Sequence, residues 1–344
     1  YYTLDGSDPR QAVTGIAVGS VYSTPVTLTE SAIVKARALD NGEWSALSEA
    51  QYLVGTPAAA GDLVVSELMY RPAGDGLAEF IELLNISPGT VDLTDVRFDA
   101  GVSFAFPINT TLAAGERLLI VRDQTAFELA HGAGLPVVGA FAGDTVLSDA
   151  GEAITLLGYN GAAIIDFEYN DAGAWPRGAD GLGYSLVLIN PDTNPNHGDP
   201  MSWRSSTSAG GSPNSSDSMN YAAWAVTNAI ADPQSDDDGD GLTVLIEYLV
   251  GSDPAAFSLN PIVLPVFTPG DLVRVQVPRA VGADDVEVII EHSIDLVNWS
   301  SFPGGVELIR NDRLAPGEEI LTFRSFDPVS SGDQQFIRVG VSLP

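Results

Sequence analysis

The stretches Val64–Tyr70 (VVSELMY) and Glu79–Leu84 (EFIELL) decide the fold of the central part of the chain. Both have the length of a strand and mix apolar residues with acids, as partly buried strands do. A third run, Leu118–Val121 (LLIV), is apolar throughout, which is typical of a strand covered on both faces. Further runs bring the count to about eight strands, and this number and spacing predict a β-sandwich.

Composition narrows the class of protein. The chain has 344 residues, enough for several domains, and 45% of them are hydrophobic, so it can form real cores. The 15 Lys and Arg against 46 Asp and Glu give a net charge of −31, which repels nucleic acid and anionic lipid. Cysteine is absent, which excludes thiol catalysis, disulfides and Cys-based zinc sites. No run of 18 apolar residues occurs, so we expect no membrane insertion.

Residues 62–214 carry a longer pattern than the strands alone. In chain order it includes SELMY at 66–70, EFIEL at 79–83, VDLT at 91–94, LAAGE at 112–116 and LSDAGE at 147–152. This collinear series resembles the lamin tail domain family. The resemblance implies an immunoglobulin-like sandwich in large secreted or surface-anchored bacterial proteins, and a domain that is not itself an enzyme.

Residues 1–55 form a second unit, with YTLDGSDP at 2–9 and AIVKARA at 32–38. This text resembles the small fibronectin-III-like domain at the C-terminal end of chitobiases, which implies a spacer or accessory role. We predict strands at Val21-Tyr22, Val26–Leu28 and Ile33–Ala38. So few strands bury little surface, so we expect the unit to lack a preceding strand or to lean on its neighbour, as in a fragment of a longer or processed protein. A small-residue linker, Gly55–Gly61, follows.

Residues 259–344 are again rich in strand patterns. The clearest are Val273–Val277, Val286–His292, Glu319–Phe323 and Gln335–Val339. The phrase EHS at 291–293 with DLVNW at 295–299 is similar to C-terminal β modules of secreted bacterial proteins. The fold prediction is therefore mainly β, with tandem immunoglobulin- and fibronectin-like sandwiches.

One motif carries a defined chemistry, Asp236–Glu247 (DDDGDGLTVLIE). It fits the spacing D-x-[DN]-x-[DN]-G-x₅-E of a calcium loop. Alternate carboxylates of Asp236, Asp238 and Asp240, the carbonyl of Leu242 and a closing Glu247 would supply the oxygens that Ca²⁺ requires. The other interpretation is a solvated acidic linker without a metal.

Helical spacing at Met219–Ile230 and Leu242–Val250 places this loop in a helix–loop–helix insert over residues 217–256. The surrounding phrase resembles the single EF-hand-like or thrombospondin type 3-like calcium motif of secreted bacterial proteins. In that family a lone loop implies a structural ion. We expect calcium to stiffen the junction between the second and third sandwiches at Asp236–Glu247.

Other candidate sites are weaker. Glu79 and Glu82 are candidate paired carboxylates, but on a strand they face opposite sides, so we expect one at the surface and one in a structural role. A second cation could lie among Asp166, Asp171 and Asp180. No nucleophile elbow and no phosphate loop with a lysine occurs, so no catalytic residue is predicted. The five tryptophans are expected to anchor cores rather than to stack on sugars.

Three functions stay open. The first is a non-catalytic structural or adhesive part of a secreted or cell-surface bacterial protein, stabilised by calcium and self-associating through edge strands. The second is a set of accessory, substrate-targeting domains of an extracellular hydrolase acting on polysaccharide or phosphoester. The third is a carbohydrate-binding module, which an exposed aromatic row on one sheet would support. The sequence leaves the ligand, the partner and the oligomeric state open.

Overall fold

A computed structural model describes residues 1–267, 272–326, 328 and 334–343. Strands dominate the described part of the chain, and the prediction of a mainly β protein with tandem sandwich modules is confirmed. Within the described residues, three α-helices lie among the strands: α1 (Gln124–His131), α2 (Tyr221–Thr227) and α3 (Val244–Val250).

The first module has one three-stranded antiparallel sheet of order β1-β2-β5 and a small hairpin β3-β4. Its strands are β1 (Tyr2–Thr3), β2 (Ala32–Ala36), β3 (Leu39–Asp40), β4 (Glu43–Trp44) and β5 (Ser48–Tyr52). The prediction of strands at Val21-Tyr22 and Val26–Leu28 was wrong. Both stretches run as irregular chain without a strand partner, so their β-forming residues have no ladder to join.

The first module has almost no core of its own. Of residues 1–55 only Pro9, Ser31 and Ala32 are buried. The module leans on its neighbour instead, because the Ser31 hydroxyl donates to Asp92 Oδ2 over 2.8 Å. The predicted linker takes part in this contact, since the Asp92 N–H donates to the Thr56 carbonyl over 2.7 Å.

The central module is a sandwich of a six-stranded sheet, β13-β12-β7-β6-β16-β17, and a four-stranded sheet, β10-β9-β14-β15, with a short pair β11-β8. Its strands are β6 (Leu63–Met69), β7 (Phe80–Asn85), β8 (Val91–Asp92), β9 (Arg97–Ala100), β10 (Phe104–Ala105), β11 (Thr111–Leu112), β12 (Arg117–Val121), β13 (Val137–Ala140), β14 (Gly151–Leu157), β15 (Ala163–Asn170), β16 (Leu186–Leu188) and β17 (Trp203–Ser205). Single turns of 3₁₀ helix lie at Arg177–Ala179, Pro191–Thr193 and Pro200–Ser202.

Strands β6 and β7 form the middle of the larger sheet, and their sequences explain why both faces are buried. Leu68 pairs with Ile81 on the face that packs against the second sheet. Met69 pairs with Phe80 on the opposite face, where Phe127 of α1 covers them. Helix α1 follows the Asp123 cap, whose side chain accepts from the Ala126 N–H.

The last module is a second sandwich, with sheets of order β18-β19-β23-β22 and β21-β20-β24. Its strands are β18 (Val263–Phe267), β19 (Val273–Ala280), β20 (Glu287–Ser293), β21 (Ser300–Ser301), β22 (Val306–Ala315), β23 (Glu318–Ser325) and β24 (Phe336–Ser342). Its core includes Val277, Ile290 and Phe323, and Leu249 of α3 belongs to the same apolar cluster.

Both insert helices are shorter than predicted. Helix α2 starts after the Asn220 cap, whose side chain accepts from the Ala223 N–H. It ends at Thr227, and its C-cap Asn228 precedes the left-handed Ala229. Helix α3 starts two residues later than expected because Leu242 still belongs to the acidic loop.

The second and third sandwiches are in direct contact. Arg204 of β17 is fully buried, and its guanidinium donates to Asp284 of the last module and to Asp217, each over 2.6 Å. The Ser205 N–H donates to Glu319 Oε1 of β23 over 2.7 Å. This contact is a polar interface whose buried charges are paired, and the acidic loop lies outside it.

Candidate metal centre

The acidic loop is folded around the carboxylate of Asp236. Its Oδ1 accepts from the Gly239 N–H over 2.9 Å, and its Oδ2 accepts from the Gly241 N–H over 3.0 Å. Gly239 and Gly241 have φ angles of 77° and 91°, which side chains rarely adopt, so the two glycines allow the chain to turn here. The loop is closed where the Val244 N–H donates to the Ser235 carbonyl over 2.9 Å.

This turn gathers the predicted carboxylates. Asp236, Asp238 and Asp240 each place a carboxylate oxygen so that all three lie within 4.8 Å of one another. Asp240 Oδ1 accepts from the Leu242 N–H over 2.8 Å, and Asp240 Oδ2 accepts from the Ser258 N–H and hydroxyl. These hydrogen bonds hold the pKa of Asp240 below its ordinary value, so the group is charged.

Glu247 is the most unusual member of the predicted set. It lies on α3 with none of its surface exposed, and its Oε2 has no hydrogen-bond partner among the described residues. Its other oxygen receives only a 3.5 Å contact from the Ser252 hydroxyl. Burial, then the charges of Asp238 and Asp240, raise the pKa of Glu247 to about 7. Asp238 Oδ2 is likewise buried and unpartnered.

Leu242 and Glu247 complete the predicted ligand set in different ways. The Leu242 side chain is 3% exposed, so packing fixes the backbone whose carbonyl is the predicted ligand. The negative charges of the three aspartates act on the carboxylate of Glu247. Glu247 is not among the residues whose carboxylate oxygens lie within 4.8 Å of one another. The described geometry thus brings three carboxylates together and leaves a fourth buried nearby.

Helix α3 connects this loop to the last module. Leu245 and Tyr248 pack with Tyr221 of α2 and with Ala280 of β19. The Tyr248 hydroxyl donates to Asp285 over 2.7 Å. Leu249, two residues after Glu247 on the same helix, packs in the core of the last sandwich.

The candidate acid pair Glu79 and Glu82 is buried at both positions, 3% and 1% exposed, so the expectation that one lies at the surface was wrong. Glu79 pairs with Arg122 over 2.6 Å and accepts from the Leu147 N–H over 2.8 Å. Glu82 pairs with Arg117 over 3.0 Å and accepts from the Ser66 hydroxyl over 2.7 Å. Each carboxylate is occupied by structural partners.

Sequence reasoning missed Glu67, which pairs across the strands with Glu82. Its Oε1 accepts from the Ser185 hydroxyl and from the Ser212 N–H, which ties the exit segment of the sandwich to the sheet. Burial, then the charge of Glu82, raises the pKa of Glu67 to about 8. The sequence signal was present as an acid within an apolar strand, in the phrase SELMY.

Asp166, Asp171 and Asp180 are not brought together. Asp166 accepts from Thr155 on the neighbouring strand, and Asp180 pairs with Arg71. Among the described residues, the only acidic group compact enough for a metal is the one at Asp236, Asp238 and Asp240. The tryptophans follow the core prediction in part, since Trp175 and Trp203 are buried and Trp44, Trp224 and Trp299 are partly buried.

The first module has an open groove of about 870 Å³ on the face of its sheet. Four tyrosines line it: Tyr1, Tyr2, Tyr22 and Tyr52. Tyr22 and Tyr52 are more than half exposed, at 63% and 51%. These side chains provide the exposed aromatic surface that a carbohydrate-binding module would need.

Comparison with known families supports the lamin tail resemblance and finds an Fn3-associated domain in the first module, while the likeness to chitobiase domains and to EF-hand or thrombospondin type 3 motifs stays a prediction. Residues 56–171 match the family described as Lamin Tail Domain, and residues 1–52 match the family described as Fn3 associated. The chain has no match among curated proteins. In the described residues, no helix is both long and apolar enough to cross a membrane.

Proposed function

We propose that the chain is a non-catalytic structural part of a secreted or cell-surface bacterial protein whose last module is stabilised by Ca²⁺. The ion would be held by Asp236, Asp238, Asp240, the carbonyl of Leu242 and Glu247. The observation that carries the proposal is the carboxylate of Glu247, which is fully buried and has an oxygen without a partner among the residues that the structure describes. A buried carboxylate without a cationic or hydrogen-bonding partner is costly, and a divalent cation would remove that cost.

The donor set suits a hard cation. Calcium prefers about six to eight oxygen ligands, and carboxylates and backbone carbonyls are its usual protein ligands. When bound, the ion would neutralise the mutual repulsion of the acids. The chain's own residues do the rest: Gly239 and Gly241 shape the turn, and α3 carries the closing glutamate into the core of the last sandwich.

A structural role agrees with the domain matches, because immunoglobulin-like and Fn3-associated domains fit a non-catalytic structural or accessory module. The candidate catalytic acids Glu79 and Glu82 are both engaged by arginines and hydrogen-bond donors. An extracellular location is part of the proposal because extracellular calcium modules bind weakly, with dissociation constants of roughly 0.1–1 mM, and work where calcium is abundant.

Thermal unfolding with excess calcium and with chelator tests the proposal. Calcium at about a hundred times its dissociation constant should stabilise the folded state by about 2.7 kcal/mol and raise the melting temperature on the order of 10 °C. Asp238→Ala should remove this response. Asp237→Ala, which removes an exposed acid of the same loop outside the ligand set, should keep it. An unchanged melting curve for the wild-type chain contradicts the proposal.

The second candidate function is an accessory part of an extracellular hydrolase that contacts polysaccharide. The tyrosine groove of the first module favours it, together with the Fn3-associated match. Titration with neutral oligosaccharides should then perturb Tyr22 and Tyr52, and Tyr52→Ala should weaken binding. Binding of none of the oligosaccharides would leave the structural function alone in place.

Self-association is a third part of the proposal. Strand β5 is exposed at all five positions and pairs only with β2 in the described part of the chain. An edge of this kind can add a strand from a second copy. Sedimentation of the wild-type chain and of Ala50→Pro tests this, because a dimer that depends on the β5 edge should be lost in the variant.

A further inference from the structure

The segment that follows helix α3 returns to the acidic loop, and we call its residues 252–259 the strap. At its start, the Ser252 N–H donates to the Glu247 carbonyl over 3.0 Å, and the Ser252 hydroxyl lies 3.5 Å from Glu247 Oε1. Pro254 is buried. Near its other end, Ser258 contacts Asp240. The strap therefore touches the proposed calcium site at two of its acids.

Ser258 fixes the direction of the Asp240 carboxylate. Its N–H donates to Asp240 Oδ2 over 3.0 Å, and its hydroxyl donates to the same oxygen over 2.8 Å. The other oxygen, Oδ1, accepts from the Leu242 N–H over 2.8 Å. Because the Ser258 donors come from 18 residues further along the chain, this part of the arrangement does not belong to the local turn of the loop.

The hydrogen bonds from Ser258 act against charge repulsion. Oxygens of Asp236, Asp238 and Asp240 lie within 4.8 Å of one another, and like charges at this distance repel. The stretch Ser205–Leu272 contains no Lys or Arg that could offset the repulsion. Donors such as those of Ser258 therefore hold Asp240 beside the other two acids.

We propose that Ser258 is a positioning residue for Ca²⁺, and that the ion and the strap stabilise each other. This inference rests on the calcium site proposed above. Carboxylates that bind a metal are usually hydrogen-bonded themselves, and loss of such a partner typically lowers metal affinity about 10- to 100-fold. Without the Ser258 hydroxyl, repulsion favours orientations of Asp240 away from the other acids, and only the fraction that points inward is ready to bind.

The coupling works in both directions. If the attached strap strengthens binding of the ion by some factor, the bound ion must favour the attached strap by the same factor. The neighbours of Ser258 make this measurable, because Phe257 and Leu259 are 69% and 85% exposed and chymotrypsin cleaves after such residues. Cleavage requires the strap to open locally, so its rate reports how firmly the strap is attached.

The first part of the test is a calorimetric titration of the full chain with Ca²⁺. Ser258→Ala should bind about tenfold more weakly than wild type, at the lower end of the usual range because its backbone N–H remains. Ser258→Thr keeps a hydroxyl and should restore most of the affinity. The matched control is Ser215→Ala, which removes an exposed hydroxyl that donates to the Ser212 carbonyl and should leave the affinity unchanged.

The second part is limited proteolysis with chymotrypsin, with and without calcium. Saturating calcium should slow cleavage after Phe257 and Leu259 in the wild-type chain, and should slow it about tenfold less in Ser258→Ala. Each variant is compared with itself, so a changed preference of the protease cancels. Cleavage after Leu182, an exposed residue of the central module, should not depend on calcium.

The outcomes separate this inference from the calcium site itself. A wild-type chain that binds no calcium overturns both. A wild-type chain that binds calcium while Ser258→Ala binds it equally well overturns the inference alone. So does calcium that leaves cleavage of the wild-type strap unchanged or makes it faster, because the ion would then not hold the strap in place.

Discussion

The buried acids of the central sandwich and the buried acid of the insert differ in the partners that stabilise them. Glu79 and Glu82 each have an arginine and at least one hydrogen-bond donor. Glu67 has no cationic partner in the described part of the chain, but three donor contacts from Ser185 and Ser212 reach its oxygens. Glu247 is as deeply buried and keeps one oxygen without any described partner.

The difference shows where each part of the molecule obtains its stability. The central sandwich supplies an arginine or hydrogen-bond donors of its own chain to each of these three acids. The insert gathers Asp236, Asp238 and Asp240 beside Glu247, and the stretch Ser205–Leu272 contains no Lys or Arg to neutralise them. In the proposed function, a bound Ca²⁺ supplies the positive charge at this site.

We expect the largest loss of stability when Arg204, the shared cation of two buried aspartates, is replaced. Arg204→Met leaves Asp217 and Asp284 buried without their cation, so we expect the unfolding free energy to fall by about 3–5 kcal/mol. Urea unfolding would measure it. The control Arg338→Met breaks an exposed pair with Glu291 and should cost less than about 1 kcal/mol. Equal losses in the two variants would show that burial does not decide the strength of these pairs.

The second prediction separates Glu247 from the partnered acids by the sign of its effect. Without calcium, Glu247→Gln should raise the unfolding free energy by about 1 kcal/mol, because it removes a buried charge close to other acids. With saturating calcium the same variant should lose the gain of about 2.7 kcal/mol expected for the wild-type chain. Chemical unfolding in both conditions gives the answer, and destabilisation without calcium would contradict it.

The third prediction concerns pH and Glu67. Its folded-state pKa is about 8, above the ordinary value, so the folded state binds the extra proton between about pH 4.5 and pH 8. The contribution of Glu67 to stability therefore decreases as pH rises through that window. Glu67→Gln keeps a hydrogen-bond acceptor and removes the titration. The unfolding free energy of the variant relative to wild type should rise on the order of 2 kcal/mol from pH 5 to pH 8.

That pH series has an internal control. Asp295 is exposed, and its hydrogen bonds from Asn298 and Val297 hold its pKa far below the ordinary range, so Asp295→Asn should leave the profile above pH 5 unchanged. A parallel profile for wild type and Glu67→Gln would mean that Glu67 is ionised throughout.

The smallest effect is expected at the contact between the first two modules. Ser31→Ala removes the hydroxyl that donates to Asp92 and accepts from the Val54 N–H over 2.9 Å. One such hydrogen bond contributes about 1 kcal/mol. Limited proteolysis within residues 53–58 should become faster in the variant, while cleavage elsewhere stays the same.

Much of the fold was predictable because it is encoded locally. The stretches Val64–Tyr70 and Glu79–Leu84 have the length and apolar content of covered strands, and β6 and β7 coincide with them to within one residue at each end. The spacing of Asp236, Asp238 and Asp240 around two glycines brought their carboxylates together as predicted. In both cases the information lies within a few neighbouring residues.

The remaining features depend on contacts that no local pattern contains. Arg204 donates a hydrogen bond to Asp284, which is 80 residues away in the sequence. Asp240 accepts from Ser258, which is 18 residues away. Both acids of the Glu79 and Glu82 pair are buried because distant arginines reach them. The irregular chain at Val21-Tyr22 shows the converse, since β propensity forms no strand where no neighbouring strand is available.

The most direct test of the central claim is a calorimetric titration of the full chain with Ca²⁺, repeated for Asp237→Asn and Glu247→Gln. The account predicts binding of one ion by the wild-type chain, nearly equal affinity in Asp237→Asn, and loss of binding in Glu247→Gln. Absence of binding heat in the wild-type chain together with an unchanged melting temperature would contradict it. So would an equal loss of affinity in both variants, because loop charge alone, rather than the buried glutamate, would then account for the binding.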